Sequence, residues 1–437
     1  MVKPKPAALA PTKATLFAYQ VGFGDCFLLR FEYSDDVRKH VLIDFGTTGL
    51  PEAVASNALT VIAKDISVKC GGKLDAVIAT HRHADHISGF ATKADKSGPG
   101  DIIRSLKPSV VLQPWTEQPD LATDATAPSP VKHKNLASHA MGLKRMQEVA
   151  AAAVKQVLAN PKAYKGLAST IQFIGEDNLS NKSAVKNLAA MGRNIYTYHG
   201  GPTGLEKILP GVKVRVLGPP TLKQSDSIRK QSARNQAEYW QLRLRSIESG
   251  NRLEQAPKTL FPGHPTRPGS KLPREARWLA DRLKAASGEQ TLQLVRSLDK
   301  QMNNTSLILL FEAGSKKLLF PGDAQFENWS YALSRPDIDT LLQDVDLYKV
   351  GHHGSLNATP KTMWAKLSKK ASVAKNKKDR LKSVLSTMKG KHGSEATNTE
   401  VPRRTLLKAL ELETELHSTH TLPPGQICGE PIEMALT

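Results

Sequence analysis

His81-Arg82-His83-Ala84-Asp85-His86 places four metal-ligating side chains within six residues. The hexapeptide directly follows an apolar run, Ala76-Val77-Ile78-Ala79, which is typical of a buried strand. Side chains two apart at a strand end point the same way, so the first two histidines can hold one cation while the next turn brings the aspartate and the last histidine toward a second. Histidine is scarce, 13 in 437 residues, and three lie here. The stretch predicts a metal site, and its carboxylate favours a hydrolytic over a closed structural one.

Further motifs accompany the hexapeptide in a fixed order. Val21-Gly22-Phe23-Gly24-Asp25-Cys26 and Leu42-Ile43-Asp44-Phe45-Gly46 precede it, and Leu319-Phe320-Pro321-Gly322-Asp323 and Val350-Gly351-His352-His353-Gly354-Ser355 follow it. The set resembles the metallo-β-lactamase superfamily, and the last two motifs are most similar to the hydrolase domain of ComEC-type competence proteins and their free-standing relatives. The resemblance spans about residues 15 to 405, weakly in the long middle. It implies a mixed α/β (α+β) fold, a four-layer αββα sandwich.

The resemblance also implies a catalytic centre with two divalent metal ions, zinc or alternatively manganese. His81 and His83 would hold the first ion, Asp85 and His86 would hold the second, and Asp323 would bridge both. His352 or His353 would complete the second site, one of the pair as a ligand and the other near the substrate or behind the ligands. Asp85, His86 and Asp323 would be the catalytic residues, because in this superfamily the metals supply a hydroxide near neutral pH.

One position departs from the superfamily pattern. Many members carry a third histidine upstream of the Gly-Asp strand, whereas this chain has Met302-Asn303-Asn304-Thr305-Ser306-Leu307. ComEC-type relatives show a similar Asn-Asn-x-Ser stretch. His199 could supply the missing ligand from the middle of the chain, or it could be an ordinary strand-end histidine.

Other residues are predicted to support the ligands or to meet a substrate. By the resemblance, Asp44 would orient a ligand histidine and Asp25 would do the same, although either residue could instead cap a turn. The substrate-contact candidates are Lys349, Ser355 and Asn357 beside the double histidine, His392 in Lys391-His392-Gly393-Ser394, and the basic residues Lys377, Lys378 and Arg380. His392 could instead be a solvated loop residue.

The net charge of +20 is concentrated in one part of the chain. Residues 361–410 contain 14 Lys and Arg against three acidic residues, which gives +11. Such an excess attracts polyanions, so nucleic acid or another anionic substrate is the expected partner. The alternative is a solvated basic face without a partner.

The order of patterns predicts five regions. They are a flexible arm at 1–13, the first half of the core at 14–115, a mainly helical insertion at 116–300 with core strands near 194–220, the second half of the core at 301–415 with the basic segment 361–404, and a C-terminal tail at 416–437. Within the insertion, residues 133–159, 224–249 and 273–302 have helical spacing, and protein partners could bind there. The tail has too weak a pattern to place.

Composition and missing motifs narrow the function. No apolar run approaches the ~20 residues of a membrane span, the N-terminus does not read as a secretory signal, and three distant cysteines fit a reducing cytosol, so a cytoplasmic location is expected. Phosphate-loop, nucleophile-elbow and Cys-x-x-Cys motifs are missing. The favoured function is metal-dependent hydrolysis of a phosphodiester, as a nuclease or phosphodiesterase. The alternatives are a small ester, lactone or phosphorylcholine-like substrate, or a metal-binding interaction subunit with little catalysis.

Overall fold

The computed structural model of the chain describes residues 10–33, 36–51, 54–118, 126–129, 182–225, 303–371, 379–423 and 425–437. The helices predicted for 133–159 and 273–302, most of the one predicted for 224–249, and the candidates Lys377 and Lys378 lie outside these residues. None of the described helices is long and apolar enough to cross a membrane.

The described strands form two sheets. The first has seven strands in the order β13-β1-β2-β3-β4-β5-β6. Its strands are β1 (Pro11–Ala18), β2 (Cys26–Tyr33), β3 (Arg38–Phe45), β4 (Ala76–Ile78), β5 (Val110–Pro114), β6 (Arg193–Thr197) and β13 (Ile432–Ala435). Strands β1 to β3 are antiparallel neighbours, and β3 to β6 run parallel to one another.

The second sheet has six strands in the order β12-β11-β10-β9-β8-β7. Its strands are β7 (Val212–Gly218), β8 (Ile308–Ala313), β9 (Lys316–Phe320), β10 (Leu347–Lys349), β11 (Lys382–Leu385) and β12 (Glu415–Ser418). Strands β7 to β9 are antiparallel, and β9 to β12 are parallel. Strands β6 and β7 lie near residues 194–220, where the sequence predicts core strands.

Helices cover the outer face of each sheet. Those of the first half are α1 (Ala58–Lys69), α2 (Ala84–Ile87), α3 (Pro99–Ser105) and α4 (Lys182–Ala190), and those of the second half are α5 (Phe326–Leu333), α6 (Ile338–Gln343), α7 (Lys361–Lys366) and α8 (Arg404–Glu413). Each helical layer has its own apolar contact with a sheet. The result is the predicted four-layer αββα arrangement, which is consistent with the metallo-β-lactamase sandwich.

The two sheets pack against each other through alternate side chains. Along β2, Phe27, Leu29 and Phe31 face the other sheet, whereas Leu28 faces the helices. Both faces are buried, which explains why these strands read as nearly continuous apolar runs instead of alternating ones. A buried Leu or Phe stabilises the fold by about 1.5–3 kcal/mol, so the layer shared by both sheets holds the two halves of the chain together.

Two boundaries differ from the sequence prediction because of long-range pairing. Strand β1 begins at Pro11, inside the stretch predicted as a flexible arm, and Lys13 pairs with Ala435 of β13. The C-terminal tail, which had no readable pattern, contributes β13 and the edge strand β12. The pairing of β1 with β13 has no local signal, since these strands lie at opposite ends of the sequence, whereas β12 pairs with β11, Lys382 with Glu415.

The carboxyl ends of the parallel strands meet at one edge of the molecule. Asp44 lies at the end of β3, the hexapeptide follows β4, Asp323 follows β9, and the double histidine follows β10. In sheets of this kind ligands bind outside the carboxyl ends of the strands. The topology therefore brings all four motifs to the same place from both halves of the chain.

Candidate metal centre

The hexapeptide leaves β4 in an extended conformation and then turns into the short helix α2. His83 sits at the start of this helix with extended backbone (φ −59°, ψ 151°), and its carbonyl accepts hydrogen bonds from the amides of His86 and Ile87. Two glycines let neighbouring backbone pass close to this turn. A Cβ on Gly46 would lie 2.5 Å from the carbonyl oxygen of Ala84, and a Cβ on Gly24 would lie 2.7 Å from the carbonyl oxygen of Asp85. All three histidines and Asp85 are buried.

One group of candidate ligands joins both halves of the chain. It consists of Asp85, His86, Asp323 and His353. His353 Nε2 lies 2.9 Å from Asp85 Oδ2, and His86 Nε2 lies 3.1 Å from Asp323 Oδ2. The other cross-distances are 3.7 Å for His86 Nε2 to Asp85 Oδ2 and 3.9 Å for His353 Nε2 to Asp323 Oδ2. Two imidazoles and two carboxylates thus converge on one small volume.

A second group lies beside the first and shares a residue with it. It consists of His81, His83 and Asp85, and His81 Nε2 lies 3.0 Å from His83 Nδ1. Asp85 belongs to both groups, so two cations held by them would be neighbours. Sequence reasoning assigned the bridging role to Asp323, whereas the described geometry places Asp85 in both groups and Asp323 in one.

The residues fit a divalent metal ion. Asp85 Oδ1 and Asp323 Oδ1 are buried and accept no hydrogen bond from the described residues. A buried carboxylate oxygen without a partner is costly, and a bound cation removes that cost. Neutral imidazole and carboxylate donors suit zinc and several other first-row metals, and carboxylates also suit manganese. The arrangement therefore has the chemistry of a metal-binding site.

The electrostatics of the cluster favour positive charge at its centre. Burial acts to lower the pKa of His86, but Asp323, Asp85 and Asp44 raise it well above its usual value. Burial acts to raise the pKa of Asp323, yet His86 and His352 hold it well below its usual range. Burial lowers the pKa of His83 to about 4, so this imidazole is neutral near pH 7. A neutral ring is the form that binds a metal.

Asp44 fixes the orientation of His86. Its Oδ2 lies 2.8 Å from His86 Nδ1 and accepts a hydrogen bond from Thr80 Oγ1 at 2.7 Å, while Oδ1 accepts from the Thr80 amide at 2.7 Å. Asp44 adopts a left-handed backbone (φ 55°) that aims its side chain at the hexapeptide. With Nδ1 donating to the carboxylate, Nε2 is left to face Asp323 and Asp85. This is the supporting role that the sequence predicts for Asp44.

Asp25 lies beneath the cluster with Lys349. Its oxygens lie 3.7 Å from His86 Nδ1 and 3.6 Å from His353 Nδ1, and it forms an ion pair with Lys349. Burial raises the pKa of Asp25 despite these positive neighbours. The placement supports a role behind the ligands rather than a turn cap alone.

Lys349 does not lie where an approaching substrate could reach it. The side chain is 2% exposed, and Nζ donates to the Gly322 carbonyl at 3.3 Å and lies 3.6 Å from Asp323 Oδ1. Burial acts to lower the pKa of Lys349, but Asp25 and Asp323 raise it above its usual value, so the ammonium stays charged. The predicted substrate contact is therefore corrected to an internal ion pair, because the end of β10 directs this side chain into the core.

The double histidine adopts a strained loop that separates its two rings. His352 and His353 both have positive φ angles, 42° and 53°. His353 is fully buried, and its Nδ1 bonds the Ser386 carbonyl at 2.9 Å, which leaves Nε2 for Asp85. His352 is 22% exposed with Nε2 3.7 Å from Asp323 Oδ2. The geometry thus places His353 in the ligand group and His352 at its solvent side, a distinction that spacing left open.

The other substrate candidates fall into different places. Ser355 is buried just after the double histidine, and Asn357 bonds Gln325 Oε1 at 2.9 Å. His392 packs on Phe23, with ring centroids 6.3 Å apart, and Phe23 in turn packs on His353 at 4.4 Å. These three residues therefore lie around the cluster.

Arg380 does not lie at the cluster. It precedes β11, whereas Ser386, which contacts His353, follows that strand. Strand β11 has four residues, which span roughly 13 Å. Arg380 donates to the Leu412 carbonyl at 3.3 Å instead. Its predicted contact with an anionic substrate stays a prediction, and it concerns a segment of the substrate away from the cluster.

The turn that lacks the third histidine is buried near the cluster. Asn303 and Asn304 are fully buried, and Leu307 in the same turn donates its amide to the Thr80 carbonyl. His199 Nδ1 bonds the Leu217 carbonyl at 2.8 Å and its ring packs on Tyr331, and it belongs to no ligand group of the described residues. It is an ordinary strand-end histidine here.

Comparison with known families agrees with this geometry. The family model of the metallo-beta-lactamase superfamily matches residues 19–140. This match contains Gly24-Asp25, Asp44 and the whole hexapeptide, and it supports the superfamily. With the His/Asp cluster it supports a metal-dependent hydrolase. No curated protein matches the chain.

Proposed function

We propose that the protein is a metal-dependent phosphodiesterase, and that its substrate is nucleic acid. The observation that carries the proposal is the pair of adjacent ligand groups that share Asp85. Two neighbouring divalent ions, when bound, supply a nucleophile at neutral pH and stabilise the attacking and leaving oxygens of a phosphodiester. The net charge of +20 supports an anionic substrate over a neutral one.

The protein's own residues would prepare the site for this reaction. Asp44 keeps a proton on His86 Nδ1, so that Nε2 remains available on the ligand side. Ser386 does the same for His353 through its carbonyl. His352 lies on the solvent side with a pKa lowered to about 4 by burial, so it is neutral near pH 7 and can donate a hydrogen bond to an anionic oxygen. Phosphate contacts by the basic segment 361–404 would position a strand without reading its sequence.

The first test is direct cleavage of polymers. Purified protein is incubated with labelled single- and double-stranded DNA and RNA in the presence of manganese or zinc. An Asp85→Ala/His86→Ala variant is the inactive control, and an Asp75→Asn variant controls for loss of a buried carboxylate away from the site. Cleavage by the wild type and the Asp75 variant, but not by the double variant, supports the proposal. Absence of cleavage with two metals bound redirects the search to small esters, lactones or phosphorylcholine-like substrates.

Salt dependence separates polymers from small neutral substrates. Binding of a polyanion through several phosphates weakens steeply with salt. Charge reversal at Lys377, Lys378 and Arg380 is expected to lower the rate on nucleic acid and to flatten its salt dependence. A small neutral substrate would respond to neither change.

A second candidate is a metal-binding interaction subunit with weak catalysis. The missing third histidine favours it, since among the described residues only Asp85 joins His81 and His83 in their group. The middle of the chain would then bind protein partners. Substoichiometric metal at this group, together with no turnover on any polymer or small ester, would support this alternative over hydrolysis.

A further inference from the structure

Lys349 is a buried cation within a group of buried carboxylates. The side chain is 2% exposed, and its ammonium contacts Asp25, the Gly322 carbonyl and the neighbourhood of Asp323. The aromatic ring of Phe27 covers it at 5.9 Å. Burying a charged lysine without a partner is energetically costly. The contacts of Lys349 with Asp25 and Asp323 offset that cost.

The carboxylates of the metal centre outnumber this cation. Asp25, Asp44, Asp85 and Asp323 are each at most 2% exposed, and the imidazoles of His86 and His353 share the offset of their charge with Lys349. Lys349 contacts two of the four carboxylates. Lys349 also acts on two imidazoles through Asp25, because Asp25 lies against both His86 and His353. The ion pair therefore touches ligand residues from both halves of the chain.

We propose that Lys349 is a resident cation that holds the carboxylates of the metal centre together before any metal binds. The inference rests on the proposed function in one respect, namely that the cluster binds divalent ions. Lys349 stabilises the metal-free protein by offsetting carboxylate repulsion. Once divalent ions provide that positive charge, the lysine repels them. Its presence thus preassembles the site at the expense of metal affinity.

The proposal predicts that a Lys349→Met substitution destabilises the metal-free protein and increases its metal affinity. Methionine keeps much of the length and removes the charge. Breaking a buried ion pair strongly destabilises a protein, so the metal-free Tm is expected to fall by about 5–10 °C. The metal-loaded Tm should fall much less, because bound ions replace the lost charge. By linkage, a ligand that stabilises the variant more also binds it more tightly. Zinc and manganese should bind the variant about tenfold more tightly than the wild type.

The matched control is Lys316→Met. Lys316 Nζ lies 3.1 Å from Asp346 Oδ1 at the opposite end of β9, with its side chain 21% exposed. Loss of this ion pair should lower the Tm equally with and without metal and leave metal affinity unchanged. A Lys349→Met/Asp25→Asn variant removes both charges of the buried pair and should recover metal-free stability relative to Lys349→Met.

The experiment measures Tm and metal affinity for the four proteins, with zinc and manganese chloride titrated against a competing chelator. Weaker metal binding in Lys349→Met would overturn the proposal, because the lysine would then orient ligands instead of competing with ions. Equal Tm losses with and without metal would overturn it too. If Lys349→Met folds only with metal, the proposal is supported, provided that the double variant folds without it; failure of both variants to fold under either condition contradicts it. No metal binding by the wild type would instead refute the proposed function.

Discussion

Replacing Asp44 by asparagine tests how the protein prepares His86 for a metal. Asparagine keeps the size of the side chain and tolerates the left-handed backbone at this position (φ 55°). Its carbonyl oxygen can still accept the Thr80 amide hydrogen bond at Oδ1. The other terminal atom becomes an amide nitrogen, which faces His86 Nδ1 and cannot accept a proton from it.

The expected magnitude follows from this one lost interaction. A hydrogen bond to a charged group contributes about 1.5–3 kcal/mol, and a loss of about 2 kcal/mol corresponds to roughly 30-fold in affinity. The lost bond also sets the tautomer. With a donor opposite Nδ1, the ring is expected to carry its proton on Nε2, the atom that faces Asp85 and Asp323. We therefore expect zinc affinity at this group to fall by about 10- to 100-fold.

Chelator-competition titration measures this effect. The matched control is Asp75→Asn, because Asp75 is also buried and accepts two hydrogen bonds at 2.9 Å, from the His40 amide and Lys39 Nζ. Asp75 precedes β4, whereas the hexapeptide follows it. The control should lose stability and keep metal affinity. A folded Asp44→Asn protein that binds zinc as tightly as the wild type would refute the role derived for Asp44.

Three further predictions concern separate features. His353→Ala should lose metal from the group that His353 forms with Asp85, His86 and Asp323. His352→Ala should keep that metal while its turnover falls. Metal analysis and initial rates measure both effects, and loss of metal from His352→Ala but not from His353→Ala would contradict the placement of the two rings. Gly322→Ala should lower the Tm and weaken metal binding, because Gly322, next to Asp323, has φ +54° and a Cβ there would lie 2.8 Å from Thr80 Cβ. An unchanged Tm would show that the backbone of this turn can shift to accommodate the methyl group. His40, whose pKa burial lowers to about 4 from an ordinary 6.5, binds more protons when unfolded. Its contribution of about 2–3 kcal/mol should be complete above pH 6.5 and lost as the pH falls toward 4, so the Tm of His40→Gln should fall less over that range than that of the wild type.

The fold and the core of the site were predictable because their signals are local. The hexapeptide and Gly322-Asp323 each follow a strand, and Asp44 lies at the end of one. Strand ends at one sheet edge must lie together. The choice between His352 and His353 was not predictable, since adjacent residues have the same spacing to every other motif. Their left-handed backbone decides it.

The failures have a common physical cause. The burial of Lys349 depends on which way the end of β10 faces, and a lysine beside two histidines gives the same sequence pattern whether it is inside or outside. The pairing of β13 with β1 joins distant residues, and no window of sequence contains both partners.

The link between Asp85 and His353 spans 268 positions in the chain. During synthesis at about 5–20 residues per second, roughly 13–50 s separate the two residues as they leave the ribosome. For that interval the hexapeptide is a histidine-rich segment without its partners, able to capture stray ions or to be modified. The complete centre can form only after His353 has been synthesised, so a ribosome that stalls before Asp323 yields a product that lacks two of the four donors of this group.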